Sequence, residues 1–141
     1  MRPADRPGTR RWLLLPAAVL VLSGLAAGCS SSKPAYCADA ANLKTSVSNL
    51  GNVDVATNGL GSLQTALNSV TSNANKFASD AKSAFPSQTA ALNTSLSALE
   101  TAITSAKGQP PVTAAAAVVP PVAQVKNSAS ALESAVSGNC Q

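Results

Sequence analysis

The chain contains 141 residues, which is enough for one domain in addition to a targeting segment. Its formal charge of +4 is unevenly distributed, because all four arginines precede residue 12. From residue 29 to the end, six lysines and five carboxylates leave a net charge of only +1. Proteins that bind nucleic acid usually carry a basic surface, so we expect no nucleic-acid partner for this nearly neutral part.

Histidine is absent from the whole chain, which excludes catalytic triads that use an imidazole base. The carboxylates after residue 29 are scattered, and no glycine-rich phosphate loop is present. Ser79 and Lys82 have the Ser-x-x-Lys spacing of penicillin-binding proteins, but the companion Ser-Asp-Asn and Lys-Thr-Gly elements are missing, so we interpret them as helix surface. The sequence thus predicts no enzyme activity, no catalytic residues, no cofactor and no metal site.

The first 28 residues have the three-part layout of a secretory signal. Residues 1–11 are basic, residues 12–22 are almost wholly apolar, and residues 23–28 are mostly small. The apolar stretch over 12–27 has 16 residues and contains a proline and a glycine, whereas a membrane-spanning helix needs about 20 apolar residues. We therefore favour a removed signal over the alternative of a retained membrane anchor.

The segment Leu25-Ala26-Ala27-Gly28-Cys29 resembles the lipobox of bacterial lipoproteins. This resemblance implies cleavage between Gly28 and Cys29, and attachment of lipid to the Cys29 thiol. One position departs from the family pattern, because Ala26 stands where the family usually has leucine. The alternative is an ordinary signal that is cut nearby and leaves Cys29 as a thiol. A pair of arginines in the leader is also compatible with twin-arginine export, although we favour the general secretory route.

Three cysteines are present, and lipidation of Cys29 would leave Cys37 and Cys140. Compartments outside the cell membrane permit disulfides, so we expect these two residues to form one. Two inert thiols or a metal-binding pair are the alternatives, but no histidine or additional cysteine is available to complete a metal site. The expected bridge joins the beginning of the domain to its end.

Apolar residues from residue 36 onward recur at alternating spacings of three and four, the pattern of helices that bury one face. The pattern forms four runs. Their members are Tyr36, Ala40, Leu43, Val47 and Leu50; Leu60, Leu63, Leu67, Val70, Ala74, Phe77, Ala81 and Ala84; Leu92, Leu96, Leu99, Ile103 and Ala106; and Ala115, Val118, Val122, Val125, Ala129, Leu132 and Val136.

Helix-breaking residues separate these runs. Residues 51–59 are rich in glycine, asparagine and aspartate and form the most broken stretch. Phe85-Pro86 ends the second run, and glycine and proline close the third. The fourth run continues in phase through Pro120-Pro121, so that either one helix is kinked there or a new helix starts. We expect Asp39 and Asp54 to cap helices or meet their dipoles, in preference to a metal role.

The expected disulfide constrains the number of helices. Helices in up-down order return to the starting end only when their number is even, so a Cys37–Cys140 bridge requires four rather than three. The sequence therefore predicts an all-α fold, an up-down antiparallel bundle of four helices with its termini joined by a disulfide. The predicted organisation is a signal peptide over 1–28 that is removed, a lipidated cysteine and polar tether over 29–35, and a bundle domain over 36–141.

The part after the tether resembles small exported helical proteins of actinobacteria that are rich in alanine, serine and threonine. Tyr36-Cys37, Asn52-Val53-Asp54-Val55, the run from Leu60 to Ala81 and the terminal Cys140 carry this resemblance. It implies an architecture but no activity. We expect a lipoprotein held on the extracytoplasmic face of the cell membrane by lipid on Cys29, serving as a structural or interaction module with an envelope protein or cell-wall partner. The alternative is a carrier of a lipid or small apolar ligand within the bundle.

Overall fold

The computed structural model of the chain describes residues 33–81 and 83–141. This part is all-α and contains no strand. Its four helices are α1 (Ala35–Gly51), α2 (Val55–Ala81), α3 (Pro86–Ala106) and α4 (Pro111–Ser137). The connections between them are short, as expected where consecutive helices pack antiparallel. The predicted fold class and the predicted number of helices are confirmed.

The helices pack as a bundle in which each contacts its neighbours along the chain, and α4 also returns to contact α1. Across the centre, α2 and α4 contact each other, whereas no Cα pair of α1 and α3 lies within 8 Å. The predicted apolar faces supply the core. Its most deeply buried large side chains are Leu50, Leu63, Val70, Phe77, Leu92, Leu99, Ile103, Val118, Val125 and Leu132. Alanine at several core positions allows the helices to approach closely.

The broken stretch after α1 is shorter than the sequence predicted. Helical structure resumes at Val55, and the backbone leaves the helical conformation only once more, at Gly59, where φ is 75° and ψ is 171°. Glycine adopts this positive φ readily because it has no Cβ. The predicted second run is too long at its other end, since α2 ends at Ala81 and Ala84 is exposed. Pro86 is the cause, because it occupies the first turn of α3 and the chain must change direction before it.

The Pro120-Pro121 pair lies inside one helix, because α4 runs without interruption from Pro111 to Ser137. Each proline lacks the N–H that would bond to the carbonyl four residues earlier, so the carbonyls of Ala116 and Ala117 lose their helical donors. Both alanines are exposed, and water is available to those carbonyls. Of the two alternatives that the sequence left open, one continuous helix is therefore the one found.

The predicted Cys37–Cys140 disulfide is present, with 5.6 Å between the two Cα atoms. Cys37 lies in the first turn of α1, and Cys140 follows the end of α4. The two helices then stay in register, because Lys44 forms an ion pair with Glu133 seven residues further along α1 and seven residues back along α4. The bridge thus fixes the alignment of the first and last helices, which an even number of helices brings to the same end.

We expect the double substitution Cys37→Ala/Cys140→Ala to lower the free energy of unfolding. The bridge closes a loop with a sequence separation of 103 residues, and the chain-entropy model assigns such a loop about 4–5 kcal/mol. Urea denaturation of both proteins, with and without reductant, measures the effect. The reduced parent should match the double variant. Equal unfolding midpoints for the oxidised parent and the double variant would contradict the prediction.

Candidate functional site

One end of the bundle contains the disulfide, the aromatic residues and the buried aspartate. We call it the tether end and define it by Cys37, Cys140 and the connection between α2 and α3. Tyr36, Phe77 and Phe85 are all the aromatic residues of the chain after residue 29, and they pack together here with ring centroids 5.5–6.1 Å apart. Tyr36 packs edge-on against both phenylalanines, and edge-on aromatic packing stabilises beyond the apolar area it buries. The tether end is therefore held by both a covalent bond and the largest side chains available.

Next to this aromatic group, α1 and α2 are joined by an ion pair between a buried aspartate and a mostly exposed lysine. The side chain of Asp39 is only 3% exposed, and its Oδ1 accepts a hydrogen bond of 2.7 Å from the Nζ of Lys76. Lys76 also donates to Oδ2 of Asp80, one helical turn further on, at 3.1 Å. The second carboxylate oxygen of Asp39 is buried and has no partner among the described residues. Among the described residues, Lys76 is thus the only side chain that donates a hydrogen bond to the buried carboxylate of Asp39.

This burial corrects the sequence prediction for Asp39, which was expected to cap α1 or meet its dipole. Asp39 lies beyond the first turn of α1, and it faces α2 instead of solvent. The reason is helical periodicity, since a residue four positions before the buried Leu43 lies on the same face of the helix. The sequence contains that spacing, but the pattern of apolar residues does not include an aspartate and so did not predict its burial.

The charges of this cluster favour a structural role over a catalytic one. The hydrogen bonds to Asp39 and Asp80 raise the pKa of Lys76 above its ordinary value. The hydrogen bond from Lys76 lowers the pKa of Asp80. Near neutral pH Lys76 therefore stays protonated and Asp80 stays ionised, so neither is suited to exchange a proton with a substrate.

Asp54 does cap a helix, as the sequence predicted. Its Oδ1 accepts a hydrogen bond from the backbone N–H of Thr57 at 3.1 Å, and its Oδ2 accepts one from the Thr57 hydroxyl at 2.8 Å. The first bond is the N-cap interaction, which satisfies one of the free N–H groups at the start of α2. These hydrogen bonds from Thr57 lower the pKa of Asp54.

The other predicted sites are placed as follows. Gly28 and Cys29, with the signal peptide and the lipidation site, lie outside the described residues. Ser79 is exposed on α2, and its partner Lys82 in the Ser-x-x-Lys motif also lies outside them. Within residues 33–81 and 83–141, no three potential metal ligands come together. In the same ranges, none of the helices has the length and apolarity that crossing a membrane requires.

The Asp39 pair gives a prediction about stability. We expect Lys76→Met to lower the free energy of unfolding, because it leaves a buried carboxylate without its donor. Adding Asp39→Asn to this variant should restore part of the loss, since a neutral amide costs less to bury unpaired. Thermal unfolding measures both variants. Lys107→Met, which alters an exposed lysine in the connection before α4, is the matched control, and an equal loss in the control would refute the role assigned to Lys76.

The Asp54 cap gives a prediction about pH. Because folding lowers the pKa of Asp54, its stabilising contribution is present above the ordinary aspartate pKa and disappears as pH falls through the lower folded value. Asp54→Asn keeps an accepting oxygen for the cap but cannot titrate. The variant should therefore lose less stability than the parent between about pH 5 and pH 2, as measured by urea denaturation across that range. Identical pH profiles for the two proteins would contradict this assignment.

Comparisons of the chain with protein-family models, with curated proteins and with solved structures found no match in any of the three.

Proposed function

We propose that this protein is an exported lipoprotein that displays a non-enzymatic helical bundle on the extracytoplasmic face of the cell membrane. The segment from Leu25 to Cys29 carries the proposal, because it resembles a lipobox directly after a secretory signal layout. Signal peptidase would cut before Cys29, and lipid on the thiol would hold the product. Attachment of two or more acyl chains gives stable anchoring where a single chain is marginal.

The disulfide supports this proposal in two ways. Structural disulfides are typical of proteins exposed to oxidising compartments, as an exported domain would be. In addition, the chain has three cysteines, and the pairing of Cys37 with Cys140 leaves Cys29 as the remaining one. A cysteine outside the disulfide, directly after a run of small residues, is the one that a lipobox requires.

The position of α1 supports a short connection to the membrane. The helix begins at Ala35, six residues after Cys29, and six residues span at most about 21 Å when fully extended. Under the proposal, the tether end of the bundle faces the membrane and the opposite end is presented outward. The nearly neutral, serine- and threonine-rich exposed positions of the helices fit a structural or interaction module that meets an envelope protein or the cell wall.

Intact-mass measurement of the protein extracted from membranes tests the anchor. The expected mass is that of residues 29–141 plus the attached lipid, with a gain of two hydrogens on reduction of the disulfide. Cys29→Ser should abolish the lipid and retain the leader. Cys37→Ala/Cys140→Ala is the matched control, because it removes two other cysteines and should be lipidated normally.

An unmodified Cys29 thiol in the extracted parent protein, or a mass that still includes residues 1–28, would refute the anchor. The interaction role is tested separately, by crosslinking in intact cells followed by purification. The parent should recover a stoichiometric envelope protein or wall fragment that Cys29→Ser does not recover. Equal recovery by both would show that the lipid on Cys29 is not needed for the interaction.

A further inference from the structure

The four helices differ in length, and the shortness of α1 leaves part of α4 uncovered. α1 has 17 residues and α4 has 27. Because the two helices run antiparallel from the disulfide, α1 ends at Gly51 opposite Lys126, where the lysine side chain lies against the glycine. Residues 111–125 of α4 therefore extend beyond the end of α1. At this end of the bundle, the connection over 52–54 and the first turn of α2 take the place of a longer α1.

A cleft of about 360 Å³ opens where α1 stops. Apolar side chains dominate its lining, and residues 111–125 of α4 contain no charged residue. The main lining residues are Leu50, Val53, Leu63, Val118, Val122 and Lys126. Val119, which is 64% exposed, lies at the rim. The cleft is thus an apolar trough whose floor belongs to the core, since Leu50, Leu63 and Val118 are at most 2% exposed. The apolar surface open to solvent comes mainly from residues of α4 such as Val119.

Lys126 stands at one end of this trough. Its aliphatic part lies so close to Gly51 that a Cβ there would be only 3.2 Å from the lysine Cδ, and glycine leaves the room it needs. Among the described residues, no carboxylate oxygen lies within 4.0 Å of its ammonium group. The cleft therefore combines an apolar trough with one cation, that of Lys126, and one carboxylate, that of Asp54, which already accepts hydrogen bonds from Thr57.

We infer that this cleft binds a fatty acid, with the carboxylate on Lys126 and the acyl chain along α4. Lys126 and Ala115 both line the cleft and lie about 16 Å apart along α4 at 1.5 Å per residue, so the cleft suits an elongated ligand. Its volume is at the lower end of the range for small-molecule sites, whereas a helix is about 10–12 Å in diameter. The single cation, with Asp54 nearby, fits a monoanionic carboxylate better than a phosphate dianion.

This site differs from the carrier expected from the sequence, because the ligand lies in a cleft that is open to solvent where α1 ends and not in a cavity enclosed within the bundle. It also does not require the lipid on Cys29. The inference and the proposed function can therefore fail independently.

Photo-crosslinking of the membrane-extracted protein, reconstituted in phosphatidylcholine vesicles, tests the site. The probe is dodecanoic acid with a diazirine in its chain, and unlabelled dodecanoate is the competitor. Crosslinks should map to residues 50–55 and 115–126 and should saturate at one probe per chain. A dodecylamine probe with the same diazirine should label these segments weakly, because Lys126 repels its head group. Equal labelling by both probes, or labelling spread over all helices, would overturn the inference.

Two pairs of variants test the site further, and each pair combines a substitution in the cleft with a matched control outside it. Lys126→Gln should raise the concentration of dodecanoate probe for half-saturation by a factor of about five, whereas Lys107→Gln should not change it. Ala123→Trp places a large side chain on the cleft lining and should abolish the crosslinks, while Ala117→Trp alters another exposed alanine of α4 and should leave them unchanged. Equal effects within either pair would overturn the site.

Discussion

The covalent bond between Cys37 and Cys140 is the constraint on which the arrangement of the helices depends. It joins the start of α1 to the end of α4 and so requires a chain path that returns to its origin. Four short-connected helices satisfy this requirement, and the Lys44–Glu133 ion pair shows that α1 and α4 keep the same alignment further along. The register of these two helices in turn determines where α1 ends beside α4, and therefore where the cleft opens.

Directional contacts in the interior select one arrangement of the helices, although the bundle is small and has few large side chains. Its core is mainly leucine, valine and alanine, which supply burial but little directional preference. The three aromatic rings and the Asp39–Lys76 pair are directional, and both lie at the tether end. An ion pair with a buried carboxylate adds little net stability, but removing the donor from that carboxylate is costly. These groups therefore select one alignment of α1 against α2 more than they increase the overall stability.

Periodicity in the sequence predicted the helices and nearly all of the core, because burial of one helical face imposes a regular spacing on apolar residues. Apolar periodicity could not identify Asp39 as a buried residue, because aspartate is polar. Only its spacing of four residues from Leu43 places it on the buried face of α1. Apolar periodicity also left the path through Pro120-Pro121 open, since exposure of the carbonyls at 116 and 117 depends on how α4 packs. The cleft was beyond prediction, because it follows from the relative lengths of α1 and α4 in three dimensions.

The two ends of the bundle differ in a way that connects the proposals. The tether end is closed by a disulfide, aromatic packing and ion pairs, whereas the part of the bundle beyond the end of α1 exposes apolar surface, with Lys126 at its near edge. With 27 residues, α4 extends about 40 Å between them. If lipid on Cys29 holds the tether end at the membrane, the Lys126 cleft lies on the side away from it. A fatty acid would then reach the cleft from the envelope space, and the anchor and the binding site would not compete for the same surface.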